Sequence, residues 1–270
     1  MNKGSTEHCI SIHDLTLSIG KSQLLNGVSM DVEKGSMTAI VGANGAGKTT
    51  LLKCLLGLLK PTSGSISVNS KEVNSYSRTA LAHELAYVPQ LLEASVPFTV
   101  LDFVMMGRYS YEGGFGYRDK EGEKIAQLAL ERVNMWHFSQ RSLQTLSGGE
   151  RQKVCIAAAL AQQSKILILD EPSAHLDPRQ RESVHGILTD IAKEDDLSIL
   201  TVTHDLNWVA MDFDYIYGMK DGRVVTKGGA HEVINSESLY TLFGTEFTVI
   251  PHPETQSPLV IPTVRRTESC

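Results

Sequence analysis

The sequence predicts an α/β fold with a mostly parallel core sheet, an N-terminal antiparallel β region and an inserted helical subdomain. Three observations carry this expectation. Short runs such as MTAIV (Met37–Val41), KILILD (Lys165–Asp170) and SILTVTH, which ends at His204, are almost wholly apolar. That is the texture of strands buried on both faces of a parallel sheet. Before them, CISIHDLTLSI and the stretch around Val28 to Val32 read as strands, with a turn at Glu33-Lys34-Gly35. From Leu91 to about Thr145 strand runs vanish, and helical periodicity appears in VLDFVMMGR and GEKIAQLALERV.

The remaining elements follow in order. A glycine loop and a helix over 48–59 come after MTAIV, and Gly57 to Pro61 stop that helix. SISV and LAYVP form a further strand pair beyond PTSG. A Gly- and Tyr-rich loop, YSYEGGFGY, separates the two helical stretches. YIYGMKDGRVVTKG reads as a hairpin around Asp221-Gly222. The expected organisation is one domain over 1–250, with its core in 1–90 and 146–250, the helical insertion in 91–145, and a proline-rich polar tail over 251–270.

The chain has 270 residues, 41% of them hydrophobic, which is ample for a sizeable core. Its net charge of −6 and the absence of a basic stripe argue against a nucleic-acid partner. Cys9, Cys54, Cys155 and Cys270 show no metal-knuckle or redox-pair spacing, as expected of a reducing compartment. MNKGSTEHCI lacks the apolar run of a secretory leader. LLKCLLGLLK is too short for a membrane span and is interrupted by Lys53. Any membrane role is therefore expected to work through a partner.

Two glycine-containing motifs carry the chemistry. Gly42 to Thr49 (GANGAGKT) fits G-x-x-x-x-G-K-[ST] between a strand and a helix. Such a loop turns its backbone N–H groups onto a phosphate at a helix N-terminus. Lys48 then reaches the β- and γ-phosphates, and the Thr49 hydroxyl faces Mg²⁺. In KILILDEP the carboxylate of Asp170 suits a hard cation that keeps several waters. Glu171, one residue on, suits a general base for a water aligned with the γ-phosphate. His204 ends a strand on the same side, and Gln90 sits where core meets insertion. The second glycine motif is LSGGERQ (Leu146–Gln152). Ser147 and Glu150 form an S-x-x-E capping box, yet glycine in a first turn lowers helix propensity by up to about 1 kcal/mol. Something needs bare backbone at Gly148 and Gly149.

Together these motifs resemble the ATP-binding cassette (ABC) ATPases, with their P-loop NTPase fold. The order GANGAGKT, Gln90, LSGGE, ILILDEP, SAHLD (Ser173–Asp177) and His204 spans nearly the whole chain. The resemblance implies Mg²⁺-dependent ATP hydrolysis. ATP would be held by Gly42, Asn44, Gly45, Ala46, Gly47, Lys48, Thr49 and Thr50. Thr49, Asp170 and Gln90 would attend the metal, and Glu171, His204 and Gln90 the attacking water. It also implies a head-to-tail dimer of two copies, in which Ser147, Gly148 and Gly149 cap the partner's ATP and Asp177 lies at the seam.

A single cassette without a span implies a separate transmembrane permease, and a peripheral position on the cytoplasmic face of the membrane. VPFTVLDFVMMGRY and FGTEFTVIPHPETQSPLVIP are similar to stretches of importer subunits for siderophores, haem and cobalamin, which act with an external solute-binding protein. Zinc and manganese importer subunits rank second. DNA-repair and translation ATPases rank lower, because this chain has neither long coiled coils nor two cassettes. A soluble P-loop kinase would have no reason for LSGGE. One departure stands out: Ile19 occupies the place where the family usually carries an aromatic that stacks on adenine. Without stacking, base selectivity weakens, so GTP is expected to be turned over alongside ATP. Comparable rates with the two nucleotides would support this, and strict ATP preference would count against it.

Overall fold

The computed structural model describes residues 7–90, 97–111 and 120–263. Strands β1 (His8–Ile19) and β2 (Ser22–Glu33) form the opening antiparallel hairpin. β3 (Met37–Val41) is buried along its whole length and leads through the glycine loop into α1 (Lys48–Leu55). The helix ends earlier than its leucine run suggests. Gly57 takes the left-handed conformation (φ 67°), its N–H bonds to Cys54 O, and Leu58 N–H bonds to Lys53 O. These are the two bonds of a Schellman stop. β4 (Ser63–Val68) and the two-residue β5 (Lys71–Glu72) complete a four-stranded antiparallel sheet in the order β2-β1-β4-β5.

α2 (Arg78–Glu84) runs directly into β6 (Leu85–Val88). The insertion supplies α3 (Val100–Met105) and α4 (Lys120–Arg132). The YSYEGGFGY loop lies mostly outside the described residues. α5 (Gly148–Ala161), β7 (Ile166–Asp170), α6 (Pro178–Asp195), β8 (Ser198–Val202) and α7 (Leu206–Asp212) restore the β/α alternation. β9 (Tyr215–Lys220) and β10 (Arg223–Gly228) form the expected hairpin. Asp221 and Gly222 both have positive φ, as a type I′ turn requires. α8 (Ala230–Val233) and α9 (Ser236–Phe243) follow.

The core sheet has the order β10-β9-β3-β8-β7-β6 and is parallel throughout except at β10. α1 is sandwiched between the two sheets. Leu51, Leu52 and Leu55 meet Ile10 and Leu25 of one sheet and Ile40 and Ile168 of the other in one apolar cluster. The opposite face of the core sheet belongs to a second cluster shared by α5, α6 and α7. That cluster runs without a break into α3 and α4, through Val104, Leu130 and Ile156. The insertion therefore has no separate core: α3 and α4 pack on α5, which lies past the expected boundary at residue 145. No helix among the described residues is long and apolar enough to cross a membrane.

The C-terminal segment departs from expectation. The boundary at residue 250 falls inside β11 (Phe247–Pro251), which pairs with β12 (Pro258–Pro262) in an antiparallel hairpin docked on α7. Prolines mark the ends of these strands, where the missing N–H removes no ladder bond that is needed. The prolines of the proline-rich polar tail delimit an ordered ribbon.

Candidate functional site

The parallel pairing of β3, β6, β7 and β8 sets their carboxyl ends side by side, and the residues just beyond them meet in one cleft. A cavity of about 300 Å³ there is lined by Asn44, Gly45, Gly47, Lys48, Thr49, Thr50, Gln90, Glu171 and His204, together with Leu24 and Val202. A larger cavity of about 910 Å³, between α4, α5 and the start of β7, holds none of these groups. The smaller one, which gathers the groups with chemistry, is the candidate site.

The glycine loop is built to leave the start of α1 uncapped. Gly47, the N-cap of α1, has φ 98° and offers no side chain to the first turn. A Cβ there would lie 2.8 Å from Leu24 O. The helix start is thus bare, as an anion site at a helix N-terminus requires. Ala46 plays a different part from its neighbours. Its methyl is buried, its N–H bonds to Ala43 O and its carbonyl accepts from Gly222 N–H, so it holds the shape of the loop. Lys48 is only 7% exposed, and its Nζ donates to Gly42 O (2.7 Å) and Ala43 O (2.9 Å). Burial pushes its pKa down, opposed by the negative charge of Glu171 and Asp170.

Asp170 ends β7 and is almost fully buried. Burial pushes its carboxyl pKa up, and the Thr49 hydroxyl works against that shift. Among the described residues its two oxygens have only long contacts, 3.5 Å from Thr49 Oγ1 and 3.5 Å from Tyr87 Oη. Tyr87 is a participant that sequence reading missed. Burial and then Asp170 raise its phenol to about 12, so it stays a neutral donor. The signal was there: β6 pairs with β7 in parallel, and Tyr87 is the one polar side chain in LAYV.

Glu171 has φ 50°, a left-handed conformation that costs a non-glycine residue energy and clusters at functional sites. Its N–H still bonds to Val202 O, so the bend happens immediately past the ladder. The side chain turns to His204. Oε2 accepts from His204 N–H (3.2 Å), and Oε1 lies 2.9 Å from His204 Nε2. The latter is a close polar contact rather than a directed hydrogen bond. Gln90 is exposed at the rim of the cavity.

The second glycine motif does not line this cavity. Both arms of the capping box are present: Glu150 N–H donates to Ser147 Oγ (3.3 Å), and Ser147 N–H donates to Glu150 Oε2 (2.7 Å). The bond from the Ser147 backbone is the main cause of a lowered Glu150 pKa. A Cβ on Gly149 would sit 2.6 Å from the Gln180 side chain. On exposed Gly148 it would meet only Leu176 Cδ2, at 3.8 Å. No neighbour among the described residues therefore requires glycine at 148. Asp177 caps α6, its Oδ1 accepting from Gln180 N–H at 2.9 Å, and Gln180 Nε2 reaches Ser147 Oγ at 3.5 Å.

The sequence profile of the ABC transporter family matches residues 25–174. This chain belongs to that family. The cassette is 33% identical over 252 residues to the iron(3+)-hydroxamate import ATP-binding protein FhuC of Bacillus subtilis (strain 168), covering 93% of this chain and 94% of that one. Its fold is similar to a solved metal-chelate type ABC transporter in an inward-facing conformation (TM-score 0.84, 28% identity, 95% of this chain and 98% of that one). It is also similar to a dimeric bacterial ABC transporter cassette (TM-score 0.71, 27% identity, 82% and 98% covered). The cassette is an ATP-binding ATPase of the ABC type. Replacing Lys48 with Ala is expected to weaken binding of a fluorescent ATP analogue at least about tenfold, the scale of losing a charge-assisted contact. Unchanged affinity in a titration would remove Lys48 from the site.

Proposed function

We propose that this chain is the ATP-hydrolysing subunit of an importer for an iron-siderophore, haem or cobalamin type metal chelate. The observation that carries the reading is the single cleft shared by the glycine loop, Gln90, Glu171 and His204. The likeness to an iron-hydroxamate import subunit and to a metal-chelate type transporter supports the cargo class.

In this reading the loop N–H groups and Lys48 bind the phosphates. Thr49 and Asp170 hold Mg²⁺, with Gln90 at the rim. Their hydroxyl and carboxylate oxygens suit a hard cation, and Asp170 is a buried carboxylate whose own partners are long contacts. Mg²⁺ when bound neutralises phosphate charge. Glu171 takes the proton of the attacking water, and His204, against its carboxylate, fixes the carboxylate's direction and donates toward the γ-phosphate. Most of the catalysis is positioning and charge stabilisation, since phosphoryl transfer needs little covalent help.

Ser147, Gly148 and Gly149 serve a second copy of the chain. Ser147 and Gly148 are exposed at this helix start, and a Cβ on Gly148 would find only ordinary van der Waals contact with Leu176 Cδ2, whereas Gly149 is buried against Gln180. Two copies meeting head to tail would let this backbone approach the partner's γ-phosphate, with Asp177 at the seam. A transmembrane permease would hold the pair at the cytoplasmic face of the membrane, and an external solute-binding protein would deliver the cargo.

Glu171→Gln should still bind ATP, lose turnover and run as a dimer on gel filtration when ATP is present. Normal hydrolysis by that variant would overturn the base assignment. A gentle-detergent pull-down from the native cells, read by mass spectrometry, is expected to bring down a polytopic membrane protein. A DNA- or ribosome-bound partner with no membrane protein would overturn the transport reading.

A further inference from the structure

A two-stranded hairpin is marginal on its own in water, so β11–β12 must be ordered by what it docks on. Phe247, Val249 and Val260 pack against the apolar cluster that includes α7. Ser236 Oγ, at the start of α9, donates to Phe247 O (3.1 Å), and the polar attachment to α7 is a side chain in its first turn. Asn207 Nδ2–H donates to Val260 O (3.2 Å), and Asn207 Oδ1 accepts from Val260 N–H (2.7 Å). One side-chain amide thus pairs with both backbone groups of one residue, as a neighbouring strand would.

Asn207 lies three residues after His204. The segment between them is tied on its other sides. Thr203 N–H bonds to Ile40 O on the central strand, Asp205 N–H bonds to Thr203 Oγ1, and Asp205 Oδ2 lies 3.7 Å from Arg181 Nη1 of α6. The hairpin supplies the remaining wall. A cavity of about 460 Å³ opens between it and the catalytic turn, bounded by Glu171, Arg181, His204 and Asn207 on one side and by Phe247 and Val260 on the other.

We propose that Asn207 is a positioning residue for ATP hydrolysis, clamping the C-terminal hairpin behind the turn that carries His204. The hairpin is then part of the catalytic machinery's support rather than an appendage. Asn207 does not line the cleft of the glycine loop; it acts by holding the helix start from which His204 is presented to Glu171. The inference rests on His204 taking part in hydrolysis, as proposed above.

The test is steady-state hydrolysis by the full chain, with analogue affinity and thermal midpoint measured alongside. Asn207→Ala should lower kcat roughly tenfold, the scale of a small misplacement at a reacting centre, while nucleotide affinity stays within about twofold, because the phosphate-binding groups are untouched. Val260→Pro removes the N–H that Asn207 Oδ1 accepts and should reproduce that loss without altering Asn207. In a His204→Ala background, Asn207→Ala should cost nothing further, because residues that act as one unit are non-additive. Wild-type kcat in Asn207→Ala and Val260→Pro would overturn the inference. So would a loss that persists undiminished on top of His204→Ala, or a lower thermal midpoint with kcat unchanged. If His204→Ala itself hydrolyses ATP normally, the fault lies in the assignment of His204. If His204→Ala is impaired while Asn207→Ala is normal, the hairpin inference alone fails.

Discussion

The structure turns on one immobilised helix. α1 can present its start to phosphate only because the rest of it is fixed, and both sheets do the fixing. Leu51, Leu52 and Leu55 are buried between the antiparallel sheet and the core sheet. Each fully buried leucine contributes on the order of 1.5–3 kcal/mol. That burial holds Lys48 and Thr49 at a set height over the ends of β3 and β7. The N-terminal antiparallel sheet therefore serves the site although none of its residues carries the chemistry: it is the outer wall that keeps α1 from shifting.

Around this anchor the chain spends conformational strain where geometry demands it. Glu171 is left-handed directly after a buried strand, so its carboxylate turns back over the sheet edge to meet His204. Gly47 is left-handed where a side chain would strike the Leu24 carbonyl. Asp170, between these bends, keeps a regular strand conformation and is buried instead. The adjacent acids Asp170 and Glu171 thus differ in environment: one is held in the sheet under a desolvation load, and the other is held by a histidine at the rim of a cleft.

Much of this was legible because the relevant signals are local. The five- and six-residue apolar strands, the G-x-x-x-x-G-K-T loop, the capping box at Ser147 and the Asp221-Gly222 turn each declare themselves within a few residues, and each forms. What could not be read depends on long-range contacts. The Glu171–His204 pairing joins residues 33 apart. Tyr87 meets Asp170 only because β6 lies beside β7. α5 follows a boundary drawn from texture, yet packs with the helices before it, since texture does not report which faces meet. The prolines near the C-terminus were misleading for a related reason. Composition records that Pro251, Pro258 and Pro262 cannot donate, and only the register shows that they sit at the ends of a ribbon.

The two bonds from Lys48 to its own loop bear on how tightly the cleft can hold a ligand. A buried ammonium with no partner would be costly, and the carbonyls of Gly42 and Ala43 offset part of that cost. Each bond to a charged group is worth about 1.5–3 kcal/mol, so Lys48 is tied to the backbone that precedes it and the loop and its cation behave as one rigid piece. A single change at Lys48 therefore removes a charge and slackens the loop together.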